Sequence, residues 1–463
     1  MILLLLIATF AIARFCHIDI MWVEEAYPTA AAMEILRGKM LYRDIWFDKP
    51  PLYALVYTFW GAQIGFWLRF AGSLYLVLCC GLIFRFAQRM WGEREAVLAT
   101  FLLGFYLTFG IPSAVIALAP DLLMVAPHIA AVYLAWRGRA FWSGVLVGIA
   151  LLVNTKAVFV LAACLLWVWP AWWKLLVGFA VPNVLFMGYL AANGALGDYY
   201  LQIWKWGFLY SKAGFPISVG VSRTLNWAGF QITALIGAVW CFRRDRKMLG
   251  WALISLVGVT AGWRFFPRYY FQLLPVICLA GARGLVEMRK RWRIAAVALM
   301  VIPLARFGPG YLTLANDLIR RQAHEWSDIR MNQDSFEAAR IITALARTGD
   351  TLLVWGYRPD IFVYSRLPAA TRYLDSQPLD GVLADRHLTN STPIAADWAA
   401  ANRRAIANVR PSFIVDGLGL LNPKLSVDKF LPMQDYRIVG RTALSVIYRL
   451  SASPDGRALP EKR

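Results

Sequence analysis

Long apolar segments recur through the first 307 residues, and they constrain the fold more than any other feature of the sequence. A helix crosses the ~30 Å hydrocarbon core of a bilayer with about 20 apolar residues. Hydrophobic residues make up 59% of the chain, above the about 45–50% typical of soluble domains. Besides a first segment at residues 2–13, the predicted spans are residues 64–84, 95–111, 115–136, 141–154, 157–173, 175–192, 228–242, 248–263, 269–287 and 294–307. The sequence therefore predicts an all-α polytopic membrane domain of about 11 transmembrane helices in a lipid bilayer.

The first segment is shorter than the others. Residues 2–13 give about 18 Å of helix, so the span either continues past Arg14 or begins upstream. No basic region precedes it, as one would in a secretory signal peptide, so we interpret it as an uncleaved first span.

The basic residues predict the orientation of these spans. The net charge is +20, but the Arg and Lys residues cluster in short loops, and no long basic run or nucleic-acid-binding motif appears. We therefore exclude nucleic acid as a partner. Loops rich in Arg and Lys face the cytoplasm; here they are the loops at residues 85–94, 137–139, 174, 243–247 and 289–293. The prediction is a multi-pass protein of the plasma (inner) membrane, with its C-terminal region on the periplasmic or external side.

A stretch from Trp22 to Tyr53 lies between two apolar regions and carries unusual charges. It contains Glu24 and Glu25 at its start and an Asp48-Lys49-Pro50-Pro51 motif near its end. Its many aromatic residues are typical of the bilayer–water interface. Ionisable side chains held at that depth are costly, so they indicate a functional site. Between the charges, residues 30–36 favour a short amphipathic helix that ends at Gly38.

A second large external loop spans residues 193–227. Aromatic residues alternate there with Lys and Arg side chains. This pattern favours an interfacial helix lying among lipid head groups, and the alternative is a rim that also binds a lipid substrate.

The composition changes at residue 308, and the rest of the chain predicts a small soluble α/β domain at residues 308–463. Residues 351–356 and 411–417 are typical of buried strands, and residues 436–449 of a terminal strand pair. Helical patterns at 361–364 and 395–408 alternate with these strands, as in α/β folds. No catalytic set appears in this region. The predicted division is thus residues 1–307, with external loops 15–63 and 193–227, followed by residues 308–463.

The order of several short motifs resembles a known enzyme class. These motifs are Glu24-Glu25-Ala26-Tyr27, Tyr42-Arg43-Asp44, Asp48-Lys49-Pro50-Pro51-Leu52, a second acid at Asp121, and Arg268-Tyr269-Tyr270 before Pro275. Over residues 20–280 the chain resembles the GT-C class of glycosyltransferases, specifically bacterial members similar to protein O-mannosyltransferases and the aminoarabinose–lipid A transferase. One departure is Glu24, where the family usually has aspartate. This leaves either Glu24 or Glu25 as the equivalent acid.

The resemblance implies a function and roles for the matching residues. Such enzymes transfer a sugar from a polyprenyl-phosphate donor to an acceptor hydroxyl on the external face. Glu24 or Glu25 would be the catalytic base, with Asp121 as a second acid. Lys49, Arg264 and Arg268 would bind the lipid phosphate, together with Tyr269. Asp48 would orient Lys49 or help to hold a divalent metal, although no zinc-binding spacing of Cys and His occurs.

Other interpretations apply to the same residues. The two glutamates could favour a helix N-terminus, Asp121 could be an N-cap, and Lys49 could extend to the interface. Asn154 and Lys156, at an external turn, are interpreted as interface residues rather than ligands. For the whole protein, the alternative is a lipid or glycan transporter or flippase, or a scaffold without chemistry. A transporter would be expected to show paired inverted repeats, which the sequence lacks.

Overall fold

The computed structural model describes residues 1–212 and 214–451. Residue 213, in the predicted loop 193–227, and residues 452–463, in the predicted α/β domain, lie outside the described residues. The chain forms two compact units. The first consists of Met1–Glu25 and Phe47–Glu325, and the second of Ala26–Trp46 and Trp326–Arg463. The predicted boundary at residue 308 lies inside a helix, Val301–Arg320, and part of the predicted external loop 15–63 groups with the second unit.

The first unit is helical, as its apolar sequence predicts. Its α-helices are α1 Ile2–Ala13, α2 Val23–Leu36 (which continues into the second unit), α3 Pro51–Thr58, α4 Phe66–Met90, α5 Glu93–Tyr106, α6 Pro112–Val115, α7 Pro120–Leu123, α8 Val125–Trp136, α9 Ala140–Leu151, α10 Ala157–Val168, α11 Trp172–Ala192, α12 Leu196–Tyr199, α13 Trp206–Lys212, α14 Ile217–Phe230, α15 Ile232–Phe242, α16 Arg246–Thr260, α17 Leu274–Glu287, α18 Lys290–Ala298 and α19 Val301–Arg320.

Fewer of these helices are long enough to cross a membrane than the sequence predicts. Within the described residues, three helical stretches are long and apolar enough, namely Phe66–Met90, Ala157–Ala192 and Lys290–Arg320. A fourth arises if α14 and α15, which meet at an angle of 91°, count as one broken span. The predicted count of about 11 is therefore not confirmed. Several predicted spans form shorter helices; residues 115–136, for example, contain α7 and α8, with a break between the end of α6 and Pro120.

Glycine residues allow α15 and α17 to pack closely. A Cβ atom at Gly284 would lie 1.9 Å from the carbonyl oxygen of Gly237, so the two helix backbones are in direct contact. This contact fixes α17 near its end, and the short 3-10 helix Pro267–Gln272 lies just before the start of the same helix. The 3-10 helix carries Arg268 and Tyr269, two of the predicted site residues.

The second unit contains a four-stranded mixed sheet. Its strands are β1 Leu352–Trp355, β2 Phe413–Asp416, β3 Tyr436–Arg441 and β4 Val446–Leu450, and its further helices are α20 Arg330–Leu345, α21 Asp360–Ser365, α22 Gln377–Asp380 and α23 Ala396–Ala405. The strand order is β1-β2-β4-β3, with β1 parallel to β2 and the other pairs antiparallel. All four residues of β1 and of β2 are buried. The predicted strands and the α/β character are thus observed.

The segment Ala26–Trp46 belongs to this second unit through its own contacts. Helix α2 ends at Leu36 and is followed by Gly38 at a φ of +90°, a conformation that favours glycine. Lys39 Nζ then donates to the carbonyl of Ala369 at 3.1 Å, and the Trp46 amide donates to the carbonyl of Arg372 at 2.7 Å. The sequence predicted the helix and its end at Gly38, but not the hydrogen bonds to residues more than 300 positions away.

Candidate active site

Glu24 lies in the first turn of α2, and only one of its two carboxylate oxygens is paired with another side chain of the described residues. Its Oε1 forms an ion pair with Arg268, and its side chain is 16% exposed. Its Oε2 is buried and, among the residues that the structure describes, accepts no hydrogen bond. The backbone carbonyl of Glu24 accepts a hydrogen bond from the Tyr53 hydroxyl, which fixes the start of the helix. The carboxylate is therefore held in place while retaining one oxygen for another partner.

Asp121 approaches the same arginine from a different segment. Its Oδ2 is 3.6 Å from Arg268 Nε, and its Oδ1 accepts from Asn154 Nδ2 at 3.1 Å and from Lys156 Nζ at 3.3 Å. The N-cap position of α7 is Ala119, and no side-chain cap is formed there. The interpretation of Asp121 as an N-cap is therefore wrong; its carboxylate faces the cluster of charges instead.

Lys156 completes this cluster. It precedes α10, and its Nζ lies 2.8 Å from the centre of the Tyr269 ring, over its face. Burial disfavours the ammonium charge and lowers the pKa of Lys156 to about 8, although the Asp121 carboxylate partly opposes this lowering and the Arg268 charge adds to it. Four charged side chains from four chain segments (Glu24, Asp121, Lys156 and Arg268) thus converge beside Tyr269.

A second group of predicted residues surrounds the ring of Tyr210. Lys49 Nζ is 3.0 Å from Asp48 Oδ2 and 5.4 Å from the Tyr210 ring centre. Arg264 lies over the same ring at 4.1 Å and donates from Nη2 to the Tyr210 hydroxyl at 2.9 Å. Burial opposes the charge of Lys49, but the carboxylate of Asp48 outweighs it together with Tyr210, so the pKa of Lys49 is raised. Lys49 therefore remains a cation at neutral pH.

The two groups are neighbours. The positive charge of Arg268 acts on Lys49 and tends to lower its pKa. Arg268 also lies 5.2 Å from the ring of Phe266, which Arg223 and Arg264 contact at 5.6 and 5.5 Å. The cations of this region are thus interleaved with aromatic rings, which keep them apart while leaving their positive charge in place.

Glu25 points elsewhere. Its carboxylate forms a two-pronged pair with Arg69, at 2.8 and 2.6 Å, and neither side chain is more than 1% exposed. Of the two adjacent acids, the structure therefore brings only Glu24 to the cluster with Asp121 and Arg268.

Asp48 does not stand in a metal-binding set. Within the described residues, no three His, Cys, Asp or Glu side chains come together as metal ligands. Asp48 pairs with Lys49, a cation that would repel a bound metal ion. The residues here do not fit a dedicated divalent-metal site, and the contact of Asp48 with Lys49 is the one that an orienting role would require.

Residues of the Pro267–Gln272 segment also line an apolar cavity of about 70 Å³. Its walls are mostly apolar and include the aromatic residues Tyr106, Trp227, Tyr270, Phe271 and Phe307, with Arg223 also lining it. Arg223 donates from Nη1 to the carbonyl of Arg264 at 2.9 Å. The cavity therefore lies next to the cations around Tyr210.

Solved structures identify the fold. ArnT from Cupriavidus metallidurans bound to undecaprenyl phosphate superposes with a TM-score of 0.62 at 15% identity, covering 97% of this chain and 98% of that one. The same protein in the apo state also gives 0.62 at 15% identity, covering 96% and 97%. This chain has a GT-C fold. The Archaeoglobus fulgidus oligosaccharyltransferase follows at 0.48 and 12% identity, covering 96% and 73%.

The fold and the apolar helices make this chain a multi-pass membrane protein, and the resemblance read from the sequence is confirmed. No protein-family model matches the sequence, and no curated protein is similar to it at the level of sequence. A fold can host many reactions, so the function must be argued from the side chains.

Three residues of the candidate site were not predicted from the sequence. Asn154 and Lys156 were interpreted as interface residues, yet both contact Asp121. Tyr210 was one of many aromatic residues in the loop 193–227, yet it joins Lys49 to Arg264. A lysine two residues after an asparagine, immediately before an apolar helix, was the available signal for Lys156. The sequence could not have paired it with Asp121.

Proposed function

We propose that this protein is a membrane glycosyltransferase that moves a sugar from a polyprenyl-phosphate donor to an acceptor hydroxyl on the external face of the plasma membrane. One observation carries the proposal. Arg268 holds Glu24 through one oxygen, while the other oxygen is buried and accepts no hydrogen bond from the described residues. The GT-C fold supports it, as does the undecaprenyl phosphate bound to the structurally similar ArnT.

Glu24 is proposed as the general base. An acceptor hydroxyl is a weak nucleophile, and a positioned carboxylate that takes its proton contributes about 10²–10⁴ to the rate. The open Oε2 is the atom that would accept the proton as the oxygen of the acceptor attacks the sugar. Arg268, bound to Oε1, would keep Oε2 directed towards the acceptor hydroxyl. The carbon–oxygen bond to the lipid phosphate breaks, and the phosphate leaves with the bonding electrons.

Lys49 and Arg264 are proposed to bind the leaving phosphate. Negative charge develops on it as its bond to the sugar breaks, and fixed cations in a site shielded from water stabilise this charge. Asp48 and the Tyr210 ring hold the two cations, so they need not reorganise during the reaction. The aromatic cavity beside Arg223 is proposed to take apolar parts of the donor lipid.

Asp121, Asn154 and Lys156 are proposed to bind the sugar. A sugar hydroxyl both donates and accepts hydrogen bonds, and this group offers a carboxylate acceptor beside amide and ammonium donors. Tyr269 packs against Lys156 and would fix the position of the ammonium group.

The test is transfer of a labelled sugar by the purified protein in lipid nanodiscs, with a panel of polyprenyl-phosphate sugars as donors. Glu24→Gln keeps the size of the side chain but cannot take the proton, so we expect a 10²–10⁴-fold lower kcat with donor binding retained. Glu95→Gln is the matched control, because Glu95 is also a buried glutamate paired with an arginine, Arg283, at 2.6 Å. Glu24→Gln that transfers sugar at the wild-type rate would exclude Glu24 as the base.

A further inference from the structure

The pair formed by Glu25 and Arg69 is closed, buried and adjacent to the proposed base. Arg69, on α4, donates four hydrogen bonds: two to the carboxylate of Glu25, one from Nε to the carbonyl of His17 at 3.1 Å and one from Nη2 to the carbonyl of Ile20 at 2.9 Å. The guanidinium thus ties the turn before α2 and the first turn of α2 to a long helix.

The Glu25 carboxylate also contacts the segment that carries the second acid. Its Oε1 accepts from the backbone amide of Leu118 at 3.4 Å, and its Oε2 from that of Trp22 at 3.5 Å. Leu118 is three residues before Asp121, and Trp22 is two residues before Glu24. One carboxylate therefore touches both chain segments from which the two acids of the site project.

Stability alone is a weak reason for such a pair. Removing two charges from water costs several kcal/mol per ion, and well-packed apolar side chains are often as stable in their place. A two-pronged pair, however, fixes distance and direction together. Reacting groups need that control, since a displacement of about 1 Å can cost about 10²-fold in rate.

We infer that Glu25 and Arg69 are positioning residues that set the geometry between Glu24 and Asp121. Neighbouring residues on a helix project about 100° apart, so when Glu25 is fixed on Arg69, Glu24 is directed to Arg268. Leu118, held by the same carboxylate, places Asp121 next to the Nε atom of that arginine. The effect on turnover rests on the proposed function; the geometry does not.

The first experiment is a kinetic cycle in nanodiscs with four proteins: wild type, Glu24→Gln, Glu25→Gln and the double variant. Rates are normalised to sites that bind the polyprenyl phosphate, so that misfolded protein does not count. We expect Glu25→Gln to lower kcat 10- to 100-fold with donor binding within about twofold of wild type. Glu24→Gln should then lower kcat much less in the Glu25→Gln background, because a misplaced base contributes little to the rate.

A merely structural role predicts something different. Glu25→Gln would reduce the number of binding sites but leave kcat per site unchanged. The fold-losses in rate caused by Glu24→Gln and Glu25→Gln would then multiply in the double variant. Either result would overturn the inference. Arg69→Met should repeat the loss seen with Glu25→Gln, and Arg69→Lys should recover part of it, because lysine keeps the charge but not the two-pronged geometry. Glu95→Gln, which breaks the pair with Arg283, should keep the wild-type kcat.

The second experiment needs no turnover. Glu24→Cys places a thiol at the site, and its modification rate by a negatively charged thiosulfonate reports its position relative to Arg268. We expect Arg69→Met to change this rate at least tenfold and Glu95→Gln to leave it unchanged. An unchanged rate with Arg69→Met would overturn the positioning role. Wild-type protein that transfers no sugar from any donor would refute the proposed function but not the geometry.

Discussion

Lys156 offers a prediction whose size follows from the structure. Its pKa falls from 10.5 to about 8, first because of burial. At about 1.4 kcal/mol for each unit of pKa, the folded protein disfavours the charged form of Lys156 by about 3 kcal/mol relative to the unfolded chain. The charge persists at neutral pH and is lost above pH 8, where Asp121 would lose its nearest cation. If the charged form binds the sugar, the rate should follow the protonated fraction.

The assay is kcat/KM for sugar transfer from pH 6.5 to 9.5. About nine-tenths of Lys156 is protonated at pH 7 and about one-tenth at pH 9, so we expect a roughly tenfold fall between these values. Lys156→Arg should remove the fall, since a guanidinium stays charged throughout this range. A flat wild-type profile, or an unchanged fall in Lys156→Arg, would refute the role of the charge.

The same titration has a consequence for stability. The folded protein loses this proton near pH 8, whereas the unfolded chain keeps it to 10.5, so the unfolded state binds more protons between these values. The contribution of Lys156 to the free energy of unfolding should therefore rise with pH across that window. The Lys156→Met variant should lack this rise.

Two further predictions test other parts of the proposal. Lys49→Met removes the proposed phosphate contact and should lower kcat/KM about 10²–10³-fold, on the scale of losing one oxyanion donor. Lys174→Met, at an exposed lysine beside Trp173, is the control and should keep the wild-type kcat/KM. Equal kcat/KM values for the two variants would remove Lys49 from the site. Thr348→Cys places a thiol at an exposed position of the second unit and should react with an impermeant maleimide in intact cells; reaction only after lysis would refute the external orientation.

Local chemistry explains what the sequence predicted well. The strands at residues 352–355 and 413–416 are short apolar runs bounded by turn residues, and α2 ends before Gly38 because a positive φ is required there. Such signals depend on a few neighbouring residues. The number of spans depends instead on how segments pack, and the 91° bend between α14 and α15 has no comparable local signal.

The candidate site shows the same contrast. Glu24, Asp121 and Arg268 were found because the order of motifs resembles an enzyme class, and the structure brings them together. The choice between Glu24 and Glu25 could not be made from the sequence. Both are glutamates in one helical turn, and what separates them is Arg69, 44 residues further along the chain.

The segment Pro267–Gln272 explains how charges and a lipid chain could share one site. In a 3-10 helix, side chains three positions apart lie on one face, so neighbouring residues in a single turn are directed to different surroundings. Arg268 contacts Glu24, and Tyr269 packs on Lys156, while Pro267 and Tyr270, three positions apart, both line the apolar cavity. A polyprenyl-phosphate sugar changes from polar to apolar within a few bonds of its phosphate. The change from charged to aromatic side chains within six residues supports the proposed polyprenyl-phosphate sugar over a soluble nucleotide sugar, which has no apolar end to bury.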